Sequence, residues 1–396
     1  MNIQKQINRI CIAFDAFMRS KNKNYPNGKI ASKTILIVFQ QIFGDAIVIE
    51  NSLVEYTKLF PKAQGYKIIF LANPSVIDFM KATIFIPPDI LMEAVDFKKF
   101  LDDFIYYKQI VKKYLNVSNI LIVPGTSLSA EIFSSANNAR RKIGLIRSID
   151  VNKPFVMAIF SRIAYTEIVR PQKEDMMLQR HRLLIHYLGN KKYKAKLPKL
   201  LVKESVIPES HYCVLCPGAS KMEKCWPTGR YAAIIDFIVD KYDMDVHLCG
   251  GSDELKFEKI IFSLVTHPKR VISHIGKTTF SEWSAIVQHA DLVLGNDSAT
   301  MHLAVASRRN AICIAGVYDK YQFFPYKVDT LEKNDKLPIT IIKEMPCQWC
   351  RTIGYYAGFG NTECKNRIHA NKCAACIDAI TVNDVKEKIR QLMNIG

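Results

Sequence analysis

Two hydrophobic patterns alternate along this chain. Short continuous apolar runs give way to stretches whose apolar positions recur every three or four residues. The runs at Thr34–Phe39, Lys67–Leu71, Asn119–Val123 and Gly144–Ile146 predict strands buried on both faces, as parallel sheets require. Helical spacing predicts a helix through about Phe60 after the loop Gln40–Asp45, and others near Pro74 to Met80, over Phe97–Tyr114 and from Leu128. The alternation resumes with strands at Tyr212–Leu215, Asp245–Cys249, Val271–Ser273, Asp291–Leu294 and Ala311–Ala315. Helices are expected between them at Pro227–Tyr242, Asp253–Val265, Phe280–His289 and Ser298–Ser307. Strands alternating with helices mean an α/β fold with mostly parallel, doubly wound sheets. Two such series predict two domains, residues 31–195 and 205–396, with a cleft between them. The basic stretch Arg180–Pro208 lacks strand pattern and is read as the connection.

Ahead of both series, residues 1–30 hold a helix and a loop. Ile3, Ile7, Ile10, Cys11, Phe14, Phe17 and Met18 share one helical stripe, with Lys5, Arg9 and Arg19 across from it. The stripe is expected to dock on the protein's own surface. The alternative is an anionic membrane face.

Four strand ends carry candidate chemistry. In Asp291–His302 an apolar strand runs out at Gly295, Asp297 stands where a helix N-cap belongs, and His302 falls a turn and a half later. Ligands bind at the carboxyl ends of strands in such sheets, and a helix N-terminus suits a phosphate. The loop Pro217–Pro227 repeats that logic: Gly218 permits a tight turn, Ser220 and Lys224 offer a hydroxyl and a cation, and Pro227 opens a helix. It lacks the Gly-Lys-Ser/Thr of a P-loop, so nucleotide hydrolysis of that kind is not indicated. Leu248–Glu254 is a third turn, bringing Glu254 toward a nucleotide's ribose or base. In the fourth, Gly44-Asp45 follows the first strand, and Asp45 before a positive helix end is a candidate general base. The ordinary readings are plain N-caps for Asp45 and Asp297 and a satisfied core histidine for His302.

Composition narrows the partners. The 396 residues are 49% hydrophobic and 23% charged, ordinary for a soluble globular protein. No apolar run is long enough to span a membrane and no signal peptide is visible, so the protein is expected to be cytoplasmic. A net charge of +18 favours an anionic partner. No nucleic-acid-binding motif accompanies it, so a phosphorylated substrate or anionic lipid ranks above nucleic acid. Cys347, Cys350, Cys364, Cys373 and Cys376 crowd the C-terminal tail as two C-x-x-C pairs with a fifth thiol between them. This spacing reads as a structural zinc or iron site, with reduced thiols and no metal as the alternative.

Together these motifs resemble glycosyltransferase family 9, the ADP-heptose:lipopolysaccharide heptosyltransferases. The resemblance rests on Gly44-Asp45, on Pro217-Gly-Ala-Ser220 continuing through Lys224 to Trp226-Pro227, on Gly276-Lys277-Thr278, and on Asn296-Asp297-Ser298 leading to His302. It implies a GT-B fold of two Rossmann-like domains facing a central cleft. By the same resemblance Asp45 is the catalytic base and Ser220 and Lys224 hold the donor diphosphate. Asp297 binds donor-sugar hydroxyls, Ser298, Ala299 and His302 surround the phosphates and sugar, and Glu254 contacts the nucleotide. The chain departs from the family in placing Ala299 where Gly is usual, which narrows backbone approach there. The function implied is inverting transfer of heptose from ADP-heptose to a lipopolysaccharide core or related glycan. It needs no catalytic cofactor and takes place in the cytoplasm or at the inner membrane face. The alternatives are the same fold acting on a protein or other glycan, and a non-enzymatic, basic, metal-containing binding protein.

Overall fold

The computed structural model describes residues 3–21, 33–125, 127–146, 155–201, 211–319, 321–347, 364, 367–368 and 373–393. The chain forms two compact units. One comprises Met1–Lys81, Phe85–Lys173 and Gln179–Ala195, the other Ala82–Ile84, Glu174–Leu178 and Lys196–Gly396.

The first unit opens with α1 (Ile3–Lys21) and is built on β1 (Thr34–Val38), β2 (Lys67–Ala72), β3 (Ile90–Ala94), β4 (Ile120–Val123), β5 (Arg141–Leu145) and β6 (Glu167–Val169). These six strands form one sheet in the order β3-β2-β1-β4-β5-β6, every pair parallel. Its helices are α2 (Phe43–Val48), α3 (Glu50–Leu59), α4 (Pro74–Thr83), α5 (Phe97–Asp102), α6 (Phe104–Tyr114), α7 (Leu128–Ala136), α8 (Phe155–Ile163) and α9 (Met177–Leu188). The single helix expected over Phe97–Tyr114 is two, because Asp96 and Asp103 each cap a helix, accepting from the N–H of Lys99 and Tyr106 at 2.8 and 3.0 Å. The basic stretch read as a connection from Arg180 begins inside α9, where Arg180, His181, Leu184 and Ile185 are buried.

Helix α1 overturns the expectation that its apolar stripe docks. Ile12 and Ala16, from the opposite side, are fully buried, while Ile3, Ile7, Ile10, Phe14 and Met18 are 74%, 47%, 69%, 65% and 49% exposed. The inner face is held by charge. Arg9 pairs with Asp102 of α5 at 2.7 Å, and Asp15 accepts from Lys108 and Tyr107 of α6 at 2.5 and 2.9 Å. Asn8 adds a bond to the Asp102 carbonyl at 2.8 Å. Acidic partners on α5 and basic ones on α6 attract the polar face, and that attraction sets the helix's orientation.

The second unit repeats the plan with β7 (Tyr212–Cys216), β8 (Asp245–Leu248), β9 (Val271–Ser273), β10 (Leu292–Asn296), β11 (Asn310–Ile314) and β12 (Ile339–Ile341). Its strand order is β12-β11-β10-β7-β8-β9, again all parallel. Counted from each unit's first strand, both sheets follow the Rossmann order, with the reversal beside β1 and β4 in one unit and β7 and β10 in the other. The flanking helices are α10 (Thr228–Tyr242), α11 (Leu255–Phe262), α12 (Phe280–His289) and α13 (Ala299–Ala306). After a short ribbon of β13 (Arg367–Ile368) and β14 (Cys373–Ala374) come α14 (Ala375–Asp378) and α15 (Val382–Met393). This tail completes the core: Cys373, Ile377, Ile380, Val385 and Ile389 join one apolar cluster with Trp226, Ile234, Leu294 and Ile312. The Trp226 indole N–H donates to the Ile380 carbonyl at 2.8 Å, and Arg230 of α10 donates to the carbonyls of Asp378 and Ile380 at 2.5 and 2.8 Å.

Candidate functional site

At the strand reversal of the second unit, β7 and β10 lie side by side, with Gly295 level with Cys216. Their carboxyl ends therefore release Pro217–Pro227 and Asp297–Ser298 next to each other. The distance across is short: Lys224 Nζ is 3.1 Å from Asp297 Oδ2, both side chains nearly buried, with the ammonium 5.5 Å from the centre of the Tyr318 ring. Ser298, one residue later than the cap position expected for Asp297, caps α13 with extended backbone and no side-chain cap bond. Its hydroxyl is buried without a hydrogen-bond partner. Ala299 is the first helical residue. A cation, an unsatisfied hydroxyl and the positive end of an eight-residue helix thus converge, a combination that stabilises an anion.

Asn296, which the sequence reading passed over as a site residue, fastens the two loops together. Fully buried, it donates to the carbonyls of Pro217 and Gly218 at 2.8 and 3.3 Å and accepts from the Trp226 N–H and the Tyr231 hydroxyl at 3.0 and 2.9 Å. A polar amide closing an otherwise apolar strand was the available signal, since a buried amide needs partners.

Glu254 arrives from the turn after β8, the neighbour of β7 on the other side. Its carboxyl lies across Gly218 and Gly250. A methyl group on either glycine would come within 2.0 or 2.2 Å of it, so a side chain at either position would push the carboxyl aside. Burial, reinforced by Asp253, pushes the Glu254 carboxyl up to about 7. Near neutrality it therefore carries a proton for a substantial fraction of the time and can donate a hydrogen bond.

His302 is buried in a ring of aromatics, with its Nδ1 2.5 Å from the Tyr326 hydroxyl and the Phe323 and Phe324 rings at 5.3 and 5.1 Å. Burial, with Lys224 nearby, pushes its pKa down to about 4 despite the Asp297 carboxylate. At neutral pH it is uncharged: it shapes the wall beside Asp297 and supplies no cation. Ser220 is exposed on its loop.

In the first unit, Asp45 is buried and lies within the first turn of α2, with Ile42 at the cap, so it is not the N-cap of the ordinary reading. At the end of β1, Gln40 accepts hydrogen bonds from Ser127 and Ser129, which follow β4.

The cysteine tail divides. Cys350 lies outside the described residues. Cys373 is buried, its pKa pushed up to about 11 chiefly by that burial, with its Sγ 3.9 Å from Asp378 Oδ1. Cys376 is buried against Gly316, and Cys364 is partly buried on the same core. Among the described residues no three His, Cys, Asp or Glu side chains are grouped to hold a metal ion. The described thiols alone do not assemble a donor set.

Comparison with known proteins places these features. The sequence model of glycosyltransferase family 9 (heptosyltransferase) matches residues 119–348, more than half of the chain. Lipopolysaccharide heptosyltransferase 3 of Escherichia coli K12 is 31% identical over 144 residues, 36% of this chain and only 40% of that relative's length. Among solved structures, the E. coli ADP-heptose lps heptosyltransferase II superposes with a TM-score of 0.62 at 15% identity, covering 91% of this chain and 99% of that one. The dodecameric iron-containing heptosyltransferase TibC of enterotoxigenic E. coli, solved with ADP-D-beta-D-heptose, gives a TM-score of 0.54 at 14% identity, over 93% of this chain and 78% of that one. Those superpositions establish the GT-B fold, and the match over residues 119–348 makes the chain a member of glycosyltransferase family 9.

Proposed function

We propose that the protein is an inverting glycosyltransferase that moves heptose from ADP-heptose to a sugar hydroxyl of a lipopolysaccharide core. The observation that carries this reading is the Lys224–Asp297 pair beside the start of α13, whose cap Ser298 makes no side-chain cap bond. Lys224, Ser298 and the helix end face the diphosphate, with Ser220 on the same loop. Asp297 accepts hydrogen bonds from donor-sugar hydroxyls, and Ala299 lines their approach. Protonated Glu254 donates to the nucleotide, and neutral His302 holds the aromatic wall. The relatives' names supply the sugar and the nucleotide: the E. coli K12 relative is a lipopolysaccharide heptosyltransferase and the TibC structure holds ADP-heptose.

In the proposed reaction Asp45 takes the proton of the acceptor hydroxyl. That oxygen bonds to the anomeric carbon from the face opposite the diphosphate. The bond from the anomeric carbon to the diphosphate oxygen breaks, ADP departs with the electron pair, and configuration inverts. Charge growing on ADP is met by Lys224, the Ser298 hydroxyl and the α13 terminus, an anion-stabilising arrangement set in place before reaction. No step passes through a metal. A structural iron or zinc at the cysteine tail is a separate part of the reading, supported by the two C-x-x-C pairs and by the iron-containing relative. Metal analysis of the purified protein tests it: the expected result is near one ion per chain, lowered in Cys350→Ser, and metal-free protein with an unchanged fold ends it.

The transfer itself is tested by incubating the protein with ADP-heptose and truncated lipopolysaccharide acceptors. ADP release is measured together with product mass and anomeric configuration. One added heptose with inverted configuration is expected. ADP-heptose binding without ADP release from any acceptor would make the protein a binder and not a transferase.

A further inference from the structure

Helix α1 is amphipathic in the ordinary sense, yet it is mounted backwards. Its charged face is spent on the protein through Arg9–Asp102 and Asp15–Lys108, and its apolar stripe of Ile3, Ile7, Ile10, Phe14 and Met18 points outward along the helix. A surface helix left free normally turns such a stripe inward, because burial of apolar area favours it. Here paired charges on α5 and α6 hold it out, so the exposed row is continuous over the helix's whole length.

The surroundings select what covers it. Helix α1 carries four basic residues, Lys5, Arg9, Arg19 and Lys21, against one acid, and that acid, Asp15, is already neutralised by Arg19 and Lys108. Neighbouring α6 carries Lys108, Lys112 and Lys113 and no acid. Lys21 and Lys112 are exposed, and Lys5 is half exposed with its ammonium 3.7 Å from Asp102. On α6, Ile105 is a 72% exposed apolar side chain one turn before Lys108. An apolar ridge fringed by lysines on a chain of net charge +18 matches a bilayer with anionic headgroups: side chains enter the acyl boundary and cations meet phosphates. Among the described residues no helix is long and apolar enough to cross a membrane, so the contact is one of lying on the surface.

We propose that the outward face of α1 seats the protein on an anionic phospholipid surface. This rests on the proposed function only for its use, since a lipid-anchored acceptor would then be met in two dimensions. The binding itself needs neither donor nor acceptor.

The test is flotation of the full chain with vesicles of phosphatidylcholine alone or with about one-third phosphatidylglycerol, with no sugar nucleotide present. Wild type is expected to bind the anionic vesicles at least tenfold better than the neutral ones, and less well as salt rises. The double variant Ile7→Gln/Phe14→Gln replaces only exposed side chains. It should lose at least tenfold in vesicle binding while keeping wild-type thermal stability and wild-type turnover on a water-soluble acceptor. Ile12→Gln, on the buried side, separates the faces by lowering stability. Equal vesicle binding by the double variant and wild type would overturn the proposal. So would a wild-type oligomer that ignores vesicles and is dispersed by the double variant, which would make the stripe a contact between copies. Vesicle binding without heptose transfer would leave the seat standing and remove the transferase reading, and the reverse result would do the opposite.

Discussion

The two units reverse their strand order at equivalent places, yet the reversals are furnished differently. Beside β1 and β4, the link is neutral: Gln40 accepts two serine hydroxyls, and the nearby carboxylate, Asp45, is buried within a helical turn. Beside β7 and β10, the link is charged: Lys224 faces Asp297, a hydroxyl stands unpartnered, and Asn296 clamps the loops with four hydrogen bonds. One topology thus carries two sets of side chains, a buried carboxylate beside a neutral link and a lysine–aspartate pair beside a helix start. The strand order decides where a site forms, and the side chains at the reversal decide what it does.

The sharpest way to break that contrast is to remove the carboxylate. Asp45→Ala is expected to lower turnover by about 10²–10⁴-fold, leaving ADP-heptose binding by calorimetry as in wild type. A loss expressed wholly as weaker donor binding would erase the division of labour. Next in size, Lys224→Ala should cut kcat by about 10²–10³-fold and weaken ADP binding as well. An unaltered ADP affinity would take the cation out of the cradle.

The third comparison concerns stability. Asn296→Ala strands the Trp226 N–H and the Tyr231 hydroxyl in the core, at about 2–4 kcal/mol in chemical denaturation. Gln40→Ala at the neutral reversal should cost about 1 kcal/mol. Equal losses would mean that the second reversal is no more tightly built than the first. The smallest effect is one of pH. Because the Glu254 carboxyl is raised to about 7 in the folded chain, its favourable contribution is present while protonated and is lost as pH climbs through about 7. Glu254→Gln should therefore match wild type in Tm near pH 4, about the value of a free carboxyl. It should pull ahead up to about 7 and hold a constant lead beyond. Donor affinity should fall as pH climbs through and above about 7 in wild type only, and parallel profiles would sink the assignment.

How much of this was legible depended on burial. Strands such as β1 and β10 are buried along their whole length and read directly as apolar runs. Three of the four edge strands, β3, β6 and β12, are partly exposed, mix polar with apolar residues, and escaped notice, while the fourth, β9, was read. The loops of Lys224 and Asp297 were readable because glycine and an N-cap pattern mark strand ends. For Asn296 an amide closing an apolar strand signalled a need for partners, but nothing local tells which four it reaches. The direction of α1 was also hidden: periodicity gives two faces, but which one is covered depends on Asp102 and Lys108, some ninety residues away in sequence.

The family match stops at residue 348, yet the second core does not. Trp226, which Asn296 holds through its backbone, hangs by its indole from Ile380, and Arg230 grips the same stretch. A chain ended at the edge of the recognised region would lay bare the side of α10 that Ile377, Val385 and Ile389 now cover. The stretch from Ile377 to Ile389 is in effect the floor beneath the loop that carries Lys224, and removing it would loosen that loop more than a hundred residues upstream.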